Sequence, residues 1–340
     1  MNSRDLINQV ITFDAAPRIG YHLPAPWPSD LVHAGVADDP AFEPRRWTEG
    51  DTEFWTDEWG CTWQRLGGIS KGEVAEGALA DWAGLGAYRP PDYGLDARYD
   101  RARDVFAAAE GLYRIGDIPG CAFNISRKIR RIDRFLMDCL LEPDRVRALN
   151  AAVMDQLLTA VGRLAAAGAD AVMYPEDWGT QDRLLMAPAT FRDLFLPEIE
   201  RLCAAAADAG VDVWMHSCGY IWDIIDDLRG AGVKVLQFDQ PTLYGVDRLN
   251  EAFGGRMTFE CPVDIQSSVA GLQSRKREVI RAEARRLVET LGSHGGGFIA
   301  CRYLDEVAIG MESPEWQDAA CEAFVEFGGW APAPDGTVEV

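Results

Sequence analysis

The sequence predicts an α/β fold of the (β/α)8 TIM-barrel class, carrying an N-terminal helical and irregular extension. Three observations support this. From about residue 118, short apolar runs bounded by Gly or Asp alternate with long amphipathic stretches rich in Ala, Leu and Arg. That rhythm requires a parallel sheet covered by helices. Second, three segments repeat one local form: Ala167–Gly168–Ala169–Asp170–Ala171–Val172, Ala209–Gly210–Val211–Asp212–Val213 and Ala231–Gly232–Val233–Lys234–Val235. Each reads as a helix closed by a left-handed Gly and followed at once by a buried strand, the αβ half of a βαβ unit. Third, no Gly-rich phosphate loop follows any strand, which removes the main argument for a dinucleotide-binding doubly wound sheet.

Taken in order, residues 1–100 differ from the rest. They contain Trp27, Trp47, Trp55, Trp59, Trp63 and Trp82, many prolines and little helical periodicity. They are expected as an extension packed on the barrel, with short strands in Phe54–Gln64 and a boundary near Arg89–Pro90–Pro91–Asp92. The barrel follows over residues 101–340, the two together forming one structural domain. Strands are expected at Cys121–Asn124, Ala171–Tyr174, Val211–His216, Val233–Phe238, Met257–Cys261 and Gly297–Cys301, with two more hidden in weaker segments. Helices are expected over Arg127–Leu140, Asp144–Ala167, Pro188–Ala209, Ile221–Gly230, Val246–Phe253, Ser274–Gly292 and Pro314–Phe327.

The chain's 340 residues are 48% hydrophobic and 26% charged, enough apolar material for a large core. Its longest apolar runs, such as Val211–Met215, are too short to span a bilayer. Met1–Asn2–Ser3–Arg4–Asp5 lacks the basic start and apolar core of a signal peptide, so a cytoplasmic protein is expected. The net charge is −21, from 54 acidic and 33 basic residues. Such a field repels polyanions, and the basic runs Arg127–Arg131 and Arg275–Arg285 read as helix faces, so no nucleic-acid partner is expected. Eight cysteines without a CxxC pair argue against a disulfide framework, leaving position to single out any ligand.

Function in such barrels collects at the C-terminal ends of the strands. His216 and Cys218 alternate along one extended segment and so face the same side. Imidazole with thiolate is a zinc-preferring donor set. A third ligand must come from another strand end, where Cys301 and Cys261 stand, and Glu260 or Asp239 could complete a tetrahedron. The competing reading is a hydrogen-bonded core histidine among packing cysteines. Glu176 and Asp177 could bind metal, or one could be raised in pKa as a general acid; alternatively Asp177 or Thr180 caps the next helix. Trp178 reads as a pocket wall.

Several segments together resemble the uroporphyrinogen decarboxylase superfamily. They are Glu176–Asp177–Trp178–Gly179–Thr180–Gln181, Pro188, Phe191, His216–Ser217–Cys218–Gly219, Gln240–Pro241, Pro262–Val263–Asp264–Ile265–Gln266, Gly295–Gly296–Gly297–Phe298–Ile299 and Asp57–Glu58–Trp59–Gly60. The resemblance covers roughly residues 50 to 328 and implies a (β/α)8 barrel with an N-terminal helical extension. Methyltransferases of the methylcobamide:coenzyme M type, and cobalamin-independent methionine synthase, carry a His-x-Cys followed much later by a Cys. His216, Cys218 and Cys301 match that pattern, implying zinc ligation, whereas Cys261 departs from the Gly usual at its position.

True decarboxylases carry an Arg-rich substrate clamp. Here the corresponding run Ala16–Pro17–Arg18–Ile19–Gly20–Tyr21–His22–Leu23–Pro24 holds one arginine, and Arg302 is the only other candidate. The resemblance therefore implies methyl transfer between a small thiol, methoxy or methylamine substrate and a corrinoid brought by a separate protein. In this reading Asp177 and Glu176 are catalytic. Tyr174, Trp178, Gln181, Asp239, Gln240, Arg302 and Tyr303 contact substrate, and the enzyme is a homodimer. Alternatives are a uroporphyrinogen-type decarboxylase or a metal-retaining binding protein without catalysis.

Overall fold

The computed structural model describes residues 1–67, 71–266, 276–304 and 315–329. Its fold is of the (β/α)8 barrel class, as expected. Strands β1 (Gly20–His22) and β2 (Leu31–Gly35) precede four strands β3 (Arg46–Glu49), β4 (Thr52–Thr56), β5 (Thr62–Leu66) and β6 (Glu73–Glu76). Then follow β7 (Tyr113–Asp117), β8 (Ala171–Pro175), β9 (Asp212–His216), β10 (Val235–Gln237), β11 (Thr258–Cys261) and β12 (Phe298–Cys301). Eight strands form one sheet in the order β1-β12-β11-β10-β9-β8-β7-β2, while β3 to β6 make a separate antiparallel sheet. Pairings within each half of the larger sheet, such as β8 with β7 and with β9, are parallel.

The chain divides into two compact units, one of Met1–Leu31, Gly111–Tyr113 and Val235–Val340, the other of Val32–Glu110 and Arg114–Lys234. In the first, helix α1 (Ser3–Thr12) is capped by Asn2, whose side chain accepts the Asp5 N–H at 2.8 Å. It buries Leu6, Ile7, Val10 and Ile11 on one face. Strands β11 and β12 are buried throughout.

The second unit contains α2 (Asp100–Ala108), α3 (Ala122–Arg130), α4 (Ile132–Leu141), α5 (Pro143–Ala166), α6 (Pro188–Leu194), α7 (Leu196–Asp208) and α8 (Ile225–Ala231). The first unit adds α9 (Val246–Phe253), α10 (Arg277–Leu291) and α11 (Glu315–Phe327). The short strands expected in Phe54–Gln64 are β4 and β5, paired with Trp55 stacked on Trp63 at 5.9 Å. No described helix is long and apolar enough to cross a membrane.

Several elements differ from expectation. The two hidden strands are β1 and β2, so the segment read as an extension also feeds the main sheet. Cys121–Asn124 is not a strand but the start of α3; the strand lies upstream at β7. Gly116 weakened the strand signal, yet it is needed there: a Cβ would lie 2.9 Å from a Leu164 methyl. The helix expected over Arg127–Leu140 is broken at Arg131, which takes φ 65°. The one over Pro188–Ala209 is split at Phe195, just before Pro197 enters the first turn of α7. Ser274 and Pro314, read as helix starts, lie outside the described residues.

Candidate metal centre

In the second unit β8 and β9 run side by side, with Pro175 opposite His216. The loops that leave them are joined again, because the Glu176 N–H donates to the His216 carbonyl at 2.9 Å. Beyond that point the two loops touch at Gly179 and Gly219. A Cβ on Gly219 would sit 2.3 Å from the Gly179 carbonyl oxygen, and Gly219 takes φ +75°. Only glycine fits. Tyr220 then donates its N–H to the Thr180 carbonyl at 2.7 Å.

This contact brings three donor side chains together. Among the described residues, Asp177, His216 and Cys218 form the group of potential metal ligands whose donor atoms lie within 4.8 Å of one another. His216 Nε2 is 3.3 Å from Cys218 Sγ and 3.6 Å from Asp177 Oδ1. A tetrahedral zinc with Zn–N of about 2.0–2.1 Å and Zn–S of about 2.3 Å has donor–donor edges of about 3.3–3.6 Å. The two edges from His216 match those of zinc, and the nitrogen, sulfur and oxygen set suits it. Cys218 is exposed, so one side of the group opens to solvent, as a catalytic rather than a structural site requires.

Asp177 is held from two sides. Its Oδ1 accepts the Cys218 N–H at 3.1 Å, and its Oδ2 faces Arg127 at 3.5 Å. Burial pushes its pKa up, but His216, the Cys218 N–H and Arg127 outweigh that, so the net direction is downward. Its neighbour Glu176 behaves oppositely. It is 0% exposed, and burial lifts its pKa to about 8 against the pull of the Asn124 N–H, Arg127 and the Cys121 N–H. Oε1 accepts those N–H groups at 2.7 Å from Cys121 and 3.1 Å from Asn124, while Oε2 is buried without a hydrogen-bond partner among the described residues. Glu176 thus caps the N-terminus of α3 from a distant part of the chain.

The model of the uroporphyrinogen decarboxylase (URO-D) family matches residues 120–301, more than half of the chain and the stretch carrying both loops. The chain belongs to the uroporphyrinogen decarboxylase family. Among solved structures, a methyltransferase from Methanosarcina mazei superposes with a TM-score of 0.60 at 15% identity, over 79% of this chain and 76% of that one. A D-psicose 3-epimerase from Clostridium cellulolyticum H10 reaches a TM-score of 0.41 at 13% identity, over 72% of this chain and 86% of that one. No curated protein matches in sequence.

For this member of the uroporphyrinogen decarboxylase family, the remaining expected site residues fall in different surroundings. Tyr174 is 0% and Trp178 1% exposed, so neither lines an open pocket. Trp178 instead stacks on Phe123 at 4.3 Å and meets Phe191 and Phe195 edge-on, each at 5.0 Å. It fixes α3 and α6 under the loop, which corrects its reading as a pocket wall. Glu176, expected as catalytic, is sealed from solvent. Asp177 caps nothing, because the next α-helix starts at Pro188. Gln181 is exposed.

In the first unit, Cys301 and Cys261 are buried thiols. Burial, together with Glu260, Cys261 and Asp239, holds the Cys301 pKa well above the ordinary thiol range. Gln237 donates to Asp239 at 2.9 Å and lies 3.9 Å from Cys301 Sγ. Glu260 bonds His22 Nδ1 at 2.6 Å. Gln240 donates to Gln266 at 2.6 Å, Arg302 pairs with Asp318 at 2.7 Å, and the Tyr303 N–H reaches Gln317 at 3.2 Å.

Sequence reasoning missed Arg127 by treating Arg127–Arg131 as helix faces. Arg127 faces Asp177, Arg130 is buried against Asp138 at 2.9 Å, and Lys128 lies over the Trp63 ring. The signal was available in Asn124 and Arg127, one turn apart.

Proposed function

We propose that this chain is a methyltransferase that works at a zinc centre held by Asp177, His216 and Cys218. It moves a methyl group between a small thiol, methoxy or methylamine substrate and a corrinoid brought by a separate protein. The convergence of these three donors on an open rim is the observation that carries the proposal. Membership of the family and the fold shared with the Methanosarcina mazei methyltransferase support it. When bound, zinc supplies the acidity that turns a coordinated substrate thiol into thiolate at neutral pH.

The chain's own residues prepare that chemistry. Arg127 and the Cys218 N–H hold Asp177 ionised and oriented, with Oδ1 turned toward His216. Glu176, neutral at pH 7, keeps a second negative charge from forming beside Asp177. The site therefore presents one carboxylate and one sulfur to a dication, without surplus charge. The decarboxylase alternative is weakened by the two arginines it would use. Arg18 is bound through both terminal nitrogens to buried Asp30 at 2.7 Å, and Arg302 is bound to Asp318. Neither is available to clamp substrate carboxylates.

Zinc-loaded protein mixed with methylcobalamin and a panel of small thiols tests the reaction by loss of the methylcobalamin absorbance. We expect turnover that falls by about two orders of magnitude or more in His216→Ala, Cys218→Ala and Asp177→Ala. Carbon dioxide release from uroporphyrinogen at a catalytic rate, or variants as active as the wild type, would contradict the proposal.

A further inference from the structure

The second unit contains a cavity of about 460 Å3 at the C-terminal ends of β2 and β7. Its edge is set where the Val36 N–H donates to the Asp117 carbonyl at 3.0 Å. Trp55, Trp59, Tyr93 and Lys128 are among its walls. The volume is that of a small-molecule site, and the location is the face on which barrels build such sites.

The wall carries four carboxylates, exposed Asp38 with Asp57, Glu58 and Asp117, and the last three are held by other partners. Asp57 spends Oδ1 on the Cys61 N–H at 2.8 Å and Oδ2 on the Trp63 indole N–H at 2.6 Å. Glu58 binds Arg98 with both oxygens, at 3.1 and 2.7 Å. Asp117 bonds His33 at 3.0 Å. Lys128, by contrast, forms no ion pair and donates no hydrogen bond among the described residues. Its ammonium lies 5.6 Å from the Trp63 ring centre. Burial, aided by Arg127, draws its pKa down, as expected for a cation without a bonded counter-ion.

Aromatic walls alone would suit a cationic ligand. Lys128 stands in the same wall, however, and it repels a second cation. Arg46, exposed at the rim, adds positive charge. We infer that the cavity binds a small aromatic carboxylate, with its carboxylate on the Lys128 ammonium and its ring against Trp55 and Trp59. This inference rests on the cavity and not on the metal centre.

Titration of the purified full-length chain with benzoate and 4-methoxybenzoate, followed by tryptophan fluorescence and calorimetry, tests it. Saturable binding is expected, weakened about tenfold or more in Lys128→Met and largely kept in Lys128→Arg. Benzamide and benzylamine should bind more weakly than benzoate by a similar factor. A second measurement uses only the wild type. Benzoate should protect Lys128 from trinitrobenzenesulfonate, read by peptide mass spectrometry, so the inference stays testable even if Lys128→Met fails to fold. Absence of saturable binding, benzylamine binding as tightly as benzoate, unchanged affinity in a folded Lys128→Met, or absence of protection would each overturn it.

Discussion

Glu176 and Asp177 are neighbours in sequence whose protonation is driven apart by where each side chain goes. Asp177 turns toward His216 and Arg127 and stays ionised, while Glu176 turns inward against the start of α3 and is lifted to about 8. The lift has a sign that can be measured. The unfolded carboxyl titrates near its ordinary value of about 4.3, so the folded state binds the extra proton between that pH and about 8. This stabilisation is fully present at low pH and is lost as pH rises through the folded value. Glu283, raised to about 7 by burial, adds a loss of the same sign. Glu176→Gln removes only the first contribution. We expect the melting temperature of the wild type to fall between pH 6 and 8.5 by roughly a few degrees more than that of Glu176→Gln. Parallel melting curves across that range would show that Glu176 is ionised in the fold.

Between single residues and the whole molecule, the contact of two loops decides whether the donors meet. Gly219 and Gly210 share nearly the same positive φ, +75° and +72°. A Cβ on Gly210 would meet nothing within 4 Å, whereas one on Gly219 would strike Gly179. Gly210→Ala therefore carries only the backbone cost of about 1 kcal/mol, and Gly219→Ala adds a steric cost of roughly 2 kcal/mol or more. Chemical denaturation should separate the two variants, with zinc affinity falling only in Gly219→Ala. Equal stability and equal metal binding would mean that the loops can part without consequence. Elements built from local signals were legible in the sequence, as the Gly-closed helices before β8 to β10 show. Elements settled by distant partners were not. The start of α3 depends on the Glu176 carboxyl, and β7 contains a glycine that only Leu164 explains.

For the whole molecule, barrel class followed from the βα rhythm, but β1, only three residues long, was too brief to show any periodicity. The candidate centre was partly legible. His216 and Cys218 stand out because their spacing alone puts both on one side. Asp177 could be read as a metal binder by itself, but its meeting with His216 and Cys218, and Arg127 behind it, emerge only when β8 and β9 lie side by side. Asp177, His216 and Cys218 are proposed to hold a zinc ion. Zinc K-edge X-ray absorption on the reconstituted protein measures the donor shell directly. We expect a four-coordinate shell with sulfur at about 2.3 Å beside nitrogen and oxygen at about 2.0–2.1 Å, with the sulfur signal diminished in Cys218→Ala. A six-coordinate shell of oxygen and nitrogen alone, or a spectrum unchanged by Cys218→Ala, would contradict it.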